Sequence, residues 1–131
     1  MKTKIIFTSS AIIIGLMGLG LSFLPNEILN HLTIETNQTK TAIMQLLGAL
    51  YLGFGMMNWM VRGSIIGGIY NKPIVIGNLM HFGVGALTLV KVAFGVQLNT
   101  GTIITLTFIY VVFAIAFGYI FMVNPSPSKN N

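Results

Sequence analysis

Four stretches of the chain are each long and apolar enough to cross a bilayer, and almost every charge lies outside them. Residues 5–24, 41–61 and 102–123 contain no Asp, Glu, Lys or Arg, and residues 73–90 contain none before the run continues past Lys91 to Leu98. A helix rises ~1.5 Å per residue, so about 20 residues cover a hydrocarbon core of ~30 Å. The chain therefore reads as all-α, an antiparallel bundle of four transmembrane helices with spans near 5–24, 41–61, 73–96 and 102–123. With 54% hydrophobic and 7% charged residues, it has too little polar surface to coat a soluble domain. Four spans use up most of its 131 residues, which leaves one domain over 1–124 and a short cytoplasmic tail, 125–131, expected to be disordered. Lys2 and Lys4 ahead of an apolar run also fit a signal peptide. The run is long for one, however, and no small-x-small cleavage site follows, so a retained first span is expected.

The net charge of +5 comes from basic residues scattered at span ends, with no patch or stripe that could track a phosphate backbone. Nucleic acid is therefore not an expected partner. Membrane topology accounts for the same charges. Four spans put both termini and the middle loop on one side, with Lys2, Lys4, Arg62, Lys72 and Lys129, and leave Lys40 and Lys91 on the other. The positive-inside rule then places both termini in the cytoplasm of a multi-pass protein of the cell membrane. Trp59, Tyr70 and Tyr119 fall near the same inner interface, where amphipathic rings are favoured.

What the chain lacks narrows its chemistry. It has no Cys, which excludes disulfides, thiol catalysis and thiolate metal sites. It has no Asp, and its two acids, Glu27 and Glu35, both lie in the first loop, so no span carries a carboxylate for proton relay. His31 and His81 fall on opposite sides, too far apart to share a metal. A Ser–His pair built on Ser9 or Ser10 would lack an orienting carboxylate. No catalytic residue, metal site or cofactor is expected, and the reading leans away from an enzyme.

Between the spans, Pro25 should end the first helix because it has no N–H to continue the ladder. Asn26 is placed to cap a short helix with Ile28, Leu29 and Leu32 on one face, lying on the membrane surface over the bundle's end. A plain solvated loop is the alternative. Asn37-Gln38-Thr39 matches a glycosylation sequon, a pattern too common by chance to carry weight. Glycines in 62–73 oppose a helix there, at roughly 1 kcal/mol each against alanine, and Pro73 suits the first position of the third span.

Lipid tails are as apolar as leucine, so spans associate through close packing and hydrogen bonds. Gly15, Gly18 and Gly20, then Ala49, Gly53 and Gly55, then Gly83, Gly85 and Ala86 are the candidate contact points. Ala49 and Gly53 form a small-xxx-small pair. The fourth span, with Phe108, Tyr110, Phe113, Phe117, Tyr119 and Phe121, reads as a bulky helix filling a flank.

One polar constellation could carry function. Gln45, Gly48, Gly55, Asn58 and Arg62 recur at helical spacing in the second span, as do Asn78, His81, Gly85 and Thr88 in the third. In antiparallel spans Asn58 lies ~6 Å inside Arg62 and Asn78 ~7.5 Å inside Pro73, with His81 a turn deeper. Thr8, Ser9 and Ser10 share that depth. On one reading Asn58, Asn78 and His81 join neighbouring helices by hydrogen bonds. On the other they line a cytoplasm-facing pocket for an amphipathic ligand, with Arg62 at its mouth to meet an anionic group.

Phe23-Leu24-Pro25 and Gln45-Leu46-Leu47-Gly48-Ala49-Leu50-Tyr51-Leu52-Gly53, set in four short spans with a long first outer loop, resemble the small DoxX-like membrane proteins of bacteria. The resemblance implies a four-helix fold and transfers no site residues. The expected function is a non-enzymatic membrane protein that binds a lipid-like or hydrophobic small molecule, or serves as an accessory subunit. A small oligomeric transporter or channel is the alternative. Expected partners are membrane lipids, a hydrophobic small molecule, and a second copy of the chain or another membrane protein.

Overall fold

A computed structural model describes residues 2–64, 71–95 and 100–123. Expectations for Gly67, Gly68 and Tyr70, for the link around Gln97, and for the tail lie outside the described residues. The fold is an all-α bundle of α1 (Lys2–Phe23), α2 (Pro25–His31), α3 (Gln38–Val61), α4 (Lys72–Gly95) and α5 (Thr100–Val123). The four long helices are each apolar enough to cross a membrane.

The break after α1 falls where proline demands it. Leu24 N still donates to Gly20 O at 2.8 Å, and Pro25 then opens α2, where its missing N–H costs nothing. Asn26 does not cap this helix. Leu24 holds the cap position without a side-chain bond, and Asn26 Oδ1 accepts from Thr41 Oγ1 at 2.7 Å, tying α2 to α3. Thr33 N bonds Asn30 O and Ile34 N bonds Leu29 O, a Schellman closure that needs a left-handed residue. Thr33 fills that position at φ 60°, a strained conformation for a β-branched side chain. Asn37 is extended and its side chain accepts from Lys40 N at 2.8 Å, so α3 starts at Gln38, three residues before the apolar run at 41.

The long helices form two antiparallel pairs, α1 with α3 and α4 with α5, each closely apposed along its length. In the first pair the backbones touch at glycines. A Cβ on Gly18 would lie 2.8 Å from Leu52 N, one on Gly48 would lie 2.7 Å from Ser22 N, and one on Gly55 would lie 3.1 Å from Gly15 N. The expected pair of Ala49 and Gly53 plays no part in this. Ala49 is exposed, and a Cβ on Gly53 would meet nothing within 4 Å. Gly48 and Gly55 lie one heptad apart, whereas Gly53 is turned ~160° from Gly55, at ~100° per residue.

Bulky side chains fill the space between the pairs. Phe7 meets Phe117 edge-on at 5.2 Å, and Phe82 stacks on Phe113 at 4.8 Å and on Phe117 at 5.6 Å. Such ring pairs add ~0.5–1.5 kcal/mol each beyond the area they bury. Buried positions on α3 are Gly48, Tyr51, Gly55 and Asn58, and on α5 they include Tyr110, Phe113, Phe117 and Ile120. Alternate steps of three and four are the spacing of left-handed helix packing. The flank-filling reading of the fourth span thus holds for half its aromatics. Tyr110, Phe113 and Phe117 are core, while Phe108 and Tyr119 face outward. The outer surface is strongly apolar, with Leu46 72%, Met122 79% and Phe94 90% exposed, whereas the buried polar side chains among the described residues are Ser10, Asn58 and Asn78. This is an inside-out pattern suited to lipid.

Candidate functional site

Asn58 and Asn78 meet, as their matched depths predict. Asn58 Nδ2 donates to Asn78 Oδ1, and Asn78 Nδ2 to Asn58 Oδ1, both at 2.7 Å. The second hydrogen of Asn58 Nδ2 goes to Ser10 Oγ at 3.1 Å, and that of Asn78 to Ile74 O at 2.9 Å. Ser10 Oγ in turn donates a hydrogen bond to Phe7 O at 3.0 Å. All four amide hydrogens are used, and all three side chains are 0% exposed. The node joins α1, α3 and α4, bridging the two helix pairs. Thr8 and Ser9, at the same depth, bond back to their own helix instead.

His81 belongs to a different cluster. Its ring stacks on Phe54 at 5.4 Å and stands edge-on to Tyr51 and Phe82, both at 5.0 Å. Its Nε2 lies 3.3 Å from Tyr110 OH, which is also hydrogen-bonded to Tyr51 OH. This chain of Tyr51, Tyr110 and His81 is a second link between the pairs. Sequence reading missed both tyrosines. Tyr51 sits on the buried stripe, three residues after Gly48, but reads as an aromatic among apolar residues. Tyr110 reaches His81 because a glycine faces it: a Cβ on Gly85 would lie 2.5 Å from the Tyr110 ring.

Arg62 also stands apart from the asparagines. It folds back over Trp59, with Nη1 donating to Trp59 O at 2.6 Å and the guanidinium carbon 3.6 Å from the ring centroid. The structure therefore brings together two of the four candidate residues, Asn58 and Asn78, and sets His81 and Arg62 in separate surroundings. Among the described residues, no three metal-binding side chains gather.

A cavity of about 480 Å³ opens at the opposite end of the bundle from Arg62. Ile28 and Leu32, on and just after α2, form its roof; Met17, Leu21 and Met44 are among its walls; and Tyr51 lines its inner side. The bond from His31 Nε2 to Thr102 Oγ1, 3.0 Å, holds the end of α2 against α5 beside it. Among the described residues Tyr51 is the one lining residue with a polar side chain, and through it the cavity wall connects to Tyr110 and His81.

Comparison with protein-family models, curated proteins and solved structures finds no match to this chain. Its function is therefore read from the geometry alone.

Proposed function

We propose that the protein binds a lipid-like or hydrophobic small molecule in the cavity beneath α2, and that it does so as a non-enzymatic, multi-pass protein of the cell membrane with both termini in the cytoplasm. The cavity carries this reading. Its volume of about 480 Å³ lies within the ~300–1,000 Å³ usual for small-molecule sites. Its walls are apolar, and Met17 and Met44 supply flexible side chains that adapt to an irregular occupant. Among the described residues no charged side chain lines it, which suits an occupant that is uncharged over the part that enters. The Tyr51–Tyr110–His81 chain supports the inner wall, while the asparagine node clamps the far end of the bundle.

Gly20 lies on the cavity wall, where a Cβ would approach only Ile28 Cδ1, at 3.5 Å. Protein purified in mild detergent should carry a hydrophobic molecule that mass spectrometry detects at near-stoichiometric level. Gly20→Phe should fill the space and abolish retention, whereas Gly53→Phe, on an open face, should not. Wild-type protein without an adduct, or equal retention in Gly20→Phe, would refute the proposal.

A further inference from the structure

A second cavity lies on the outer face of the α1–α3 pair, away from α4 and α5. This groove, about 460 Å³, has Ala11, Gly15 and Gly55 on its floor and Leu16 and Met56 on its flanks, and runs to Trp59. It shares Leu16 with the cavity beneath α2 but lies nearer the other end of the bundle. Its floor is deep because α1 and α3 touch backbone to backbone there, with a Cβ on Gly55 only 3.2 Å from Ala11 O. A Cβ on Gly15, by contrast, would meet nothing within 4 Å, so the space above it is open.

The charge at the groove's end selects its occupant. Arg62 stacks on Trp59 and uses one donor on Trp59 O. A guanidinium carries five N–H donors in a fixed fork that matches phosphate oxygens. No acidic side chain competes for them, because Glu27 and Glu35 precede α3 and Arg62 follows it, a helix length of ~36 Å away. Lys2 and Lys4, at the start of α1, lie at the same end of the bundle. An acyl chain suits the apolar trough, and a phosphate suits a guanidinium that its ring support holds at interface depth.

We propose that the α1–α3 groove is a binding site for one anionic phospholipid, its acyl chain lying over Gly15 and Gly55 and its phosphate held by Arg62 beside Trp59. A basic side chain near an anionic surface is worth ~1 kcal/mol, so Arg62 should give about a fivefold preference over a zwitterionic lipid.

The test is native mass spectrometry of the full chain, delipidated in detergent and titrated with phosphatidylglycerol and phosphatidylcholine of identical acyl chains. Phosphatidylglycerol adducts should dominate about fivefold. Arg62→Gln should reduce the ratio to parity, Gly15→Leu should lower occupancy by both lipids, and Gly53→Leu should change neither. Equal adducts on the parent protein would overturn the proposal. So would a preference that survives Arg62→Gln, or occupancy unchanged by Gly15→Leu. A preference lost on Lys2→Gln/Lys4→Gln but kept in Arg62→Gln would locate it at the α1 terminus and also overturn it.

Discussion

Replacing Asn58 by leucine keeps the side chain's approximate size and removes three hydrogen bonds, two to Asn78 and one to Ser10. Interhelical hydrogen bonds in membrane proteins average ~0.6 kcal/mol, so the bonds alone account for about 2 kcal/mol. Asn78 keeps its bond to Ile74 O but is left with an unpaired carbonyl oxygen and one unpaired N–H in a fully buried position. A stranded buried group costs ~1–3 kcal/mol, which brings the expected loss for Asn58→Leu to about 3–5 kcal/mol. Asn78→Leu strands the Asn58 amide in turn and should cost a similar amount. The double variant strands neither asparagine. It should be less destabilised than the sum of the singles by about 2 kcal/mol, within the range for directly bonded pairs. Reversible unfolding in mixed detergent–SDS micelles, followed by far-UV circular dichroism, gives all three values. Single losses that add to within ~0.5 kcal/mol would show that the two amides do not act as a unit and would refute the geometry described above.

The α1–α3 contact makes a paired prediction, read in the same titration. Gly48→Ala drives a Cβ against the Ser22 backbone and should cost ~1–3 kcal/mol. Gly53→Ala meets nothing and should be neutral or gain up to ~1 kcal/mol of helix propensity. Equal effects at the two glycines would contradict the assigned interface. Topology is checked by reporter fusions at both termini and at residue 35. A reporter active only in the cytoplasm should work at the termini and fail at residue 35, and the opposite pattern would invert the orientation.

The helices themselves were legible in the sequence because a bilayer imposes a length and an absence of charge that can be counted along the chain. The break at Pro25 was legible because a missing N–H is a local fact. The meeting of Asn58 and Asn78 was legible too, since depth along antiparallel helices follows from residue number. Rotation about each helix axis was not. Asn78 and His81 share a stripe in sequence, yet three residues turn a helix by ~300°, and at His81 the stripe has swung off the core face. Phe82 takes the core position instead, and His81 packs between Phe54 and Tyr51. The same ambiguity made Ala49 and Gly53 a plausible contact pair when Gly48 and Gly55 make the contact.

Residue types and spacing therefore determined what kind of elements this protein has, how many, and at what depth each polar group lies, because those properties depend on one helix at a time. Which face of each helix turns inward, which helices pair, and where space is left over were decided only by tertiary structure. Those outcomes depend on several helices packing at once. The Tyr51–Tyr110–His81 chain, the cavity beneath α2 and the groove ending at Arg62 each exist only where side chains from two or more helices come together.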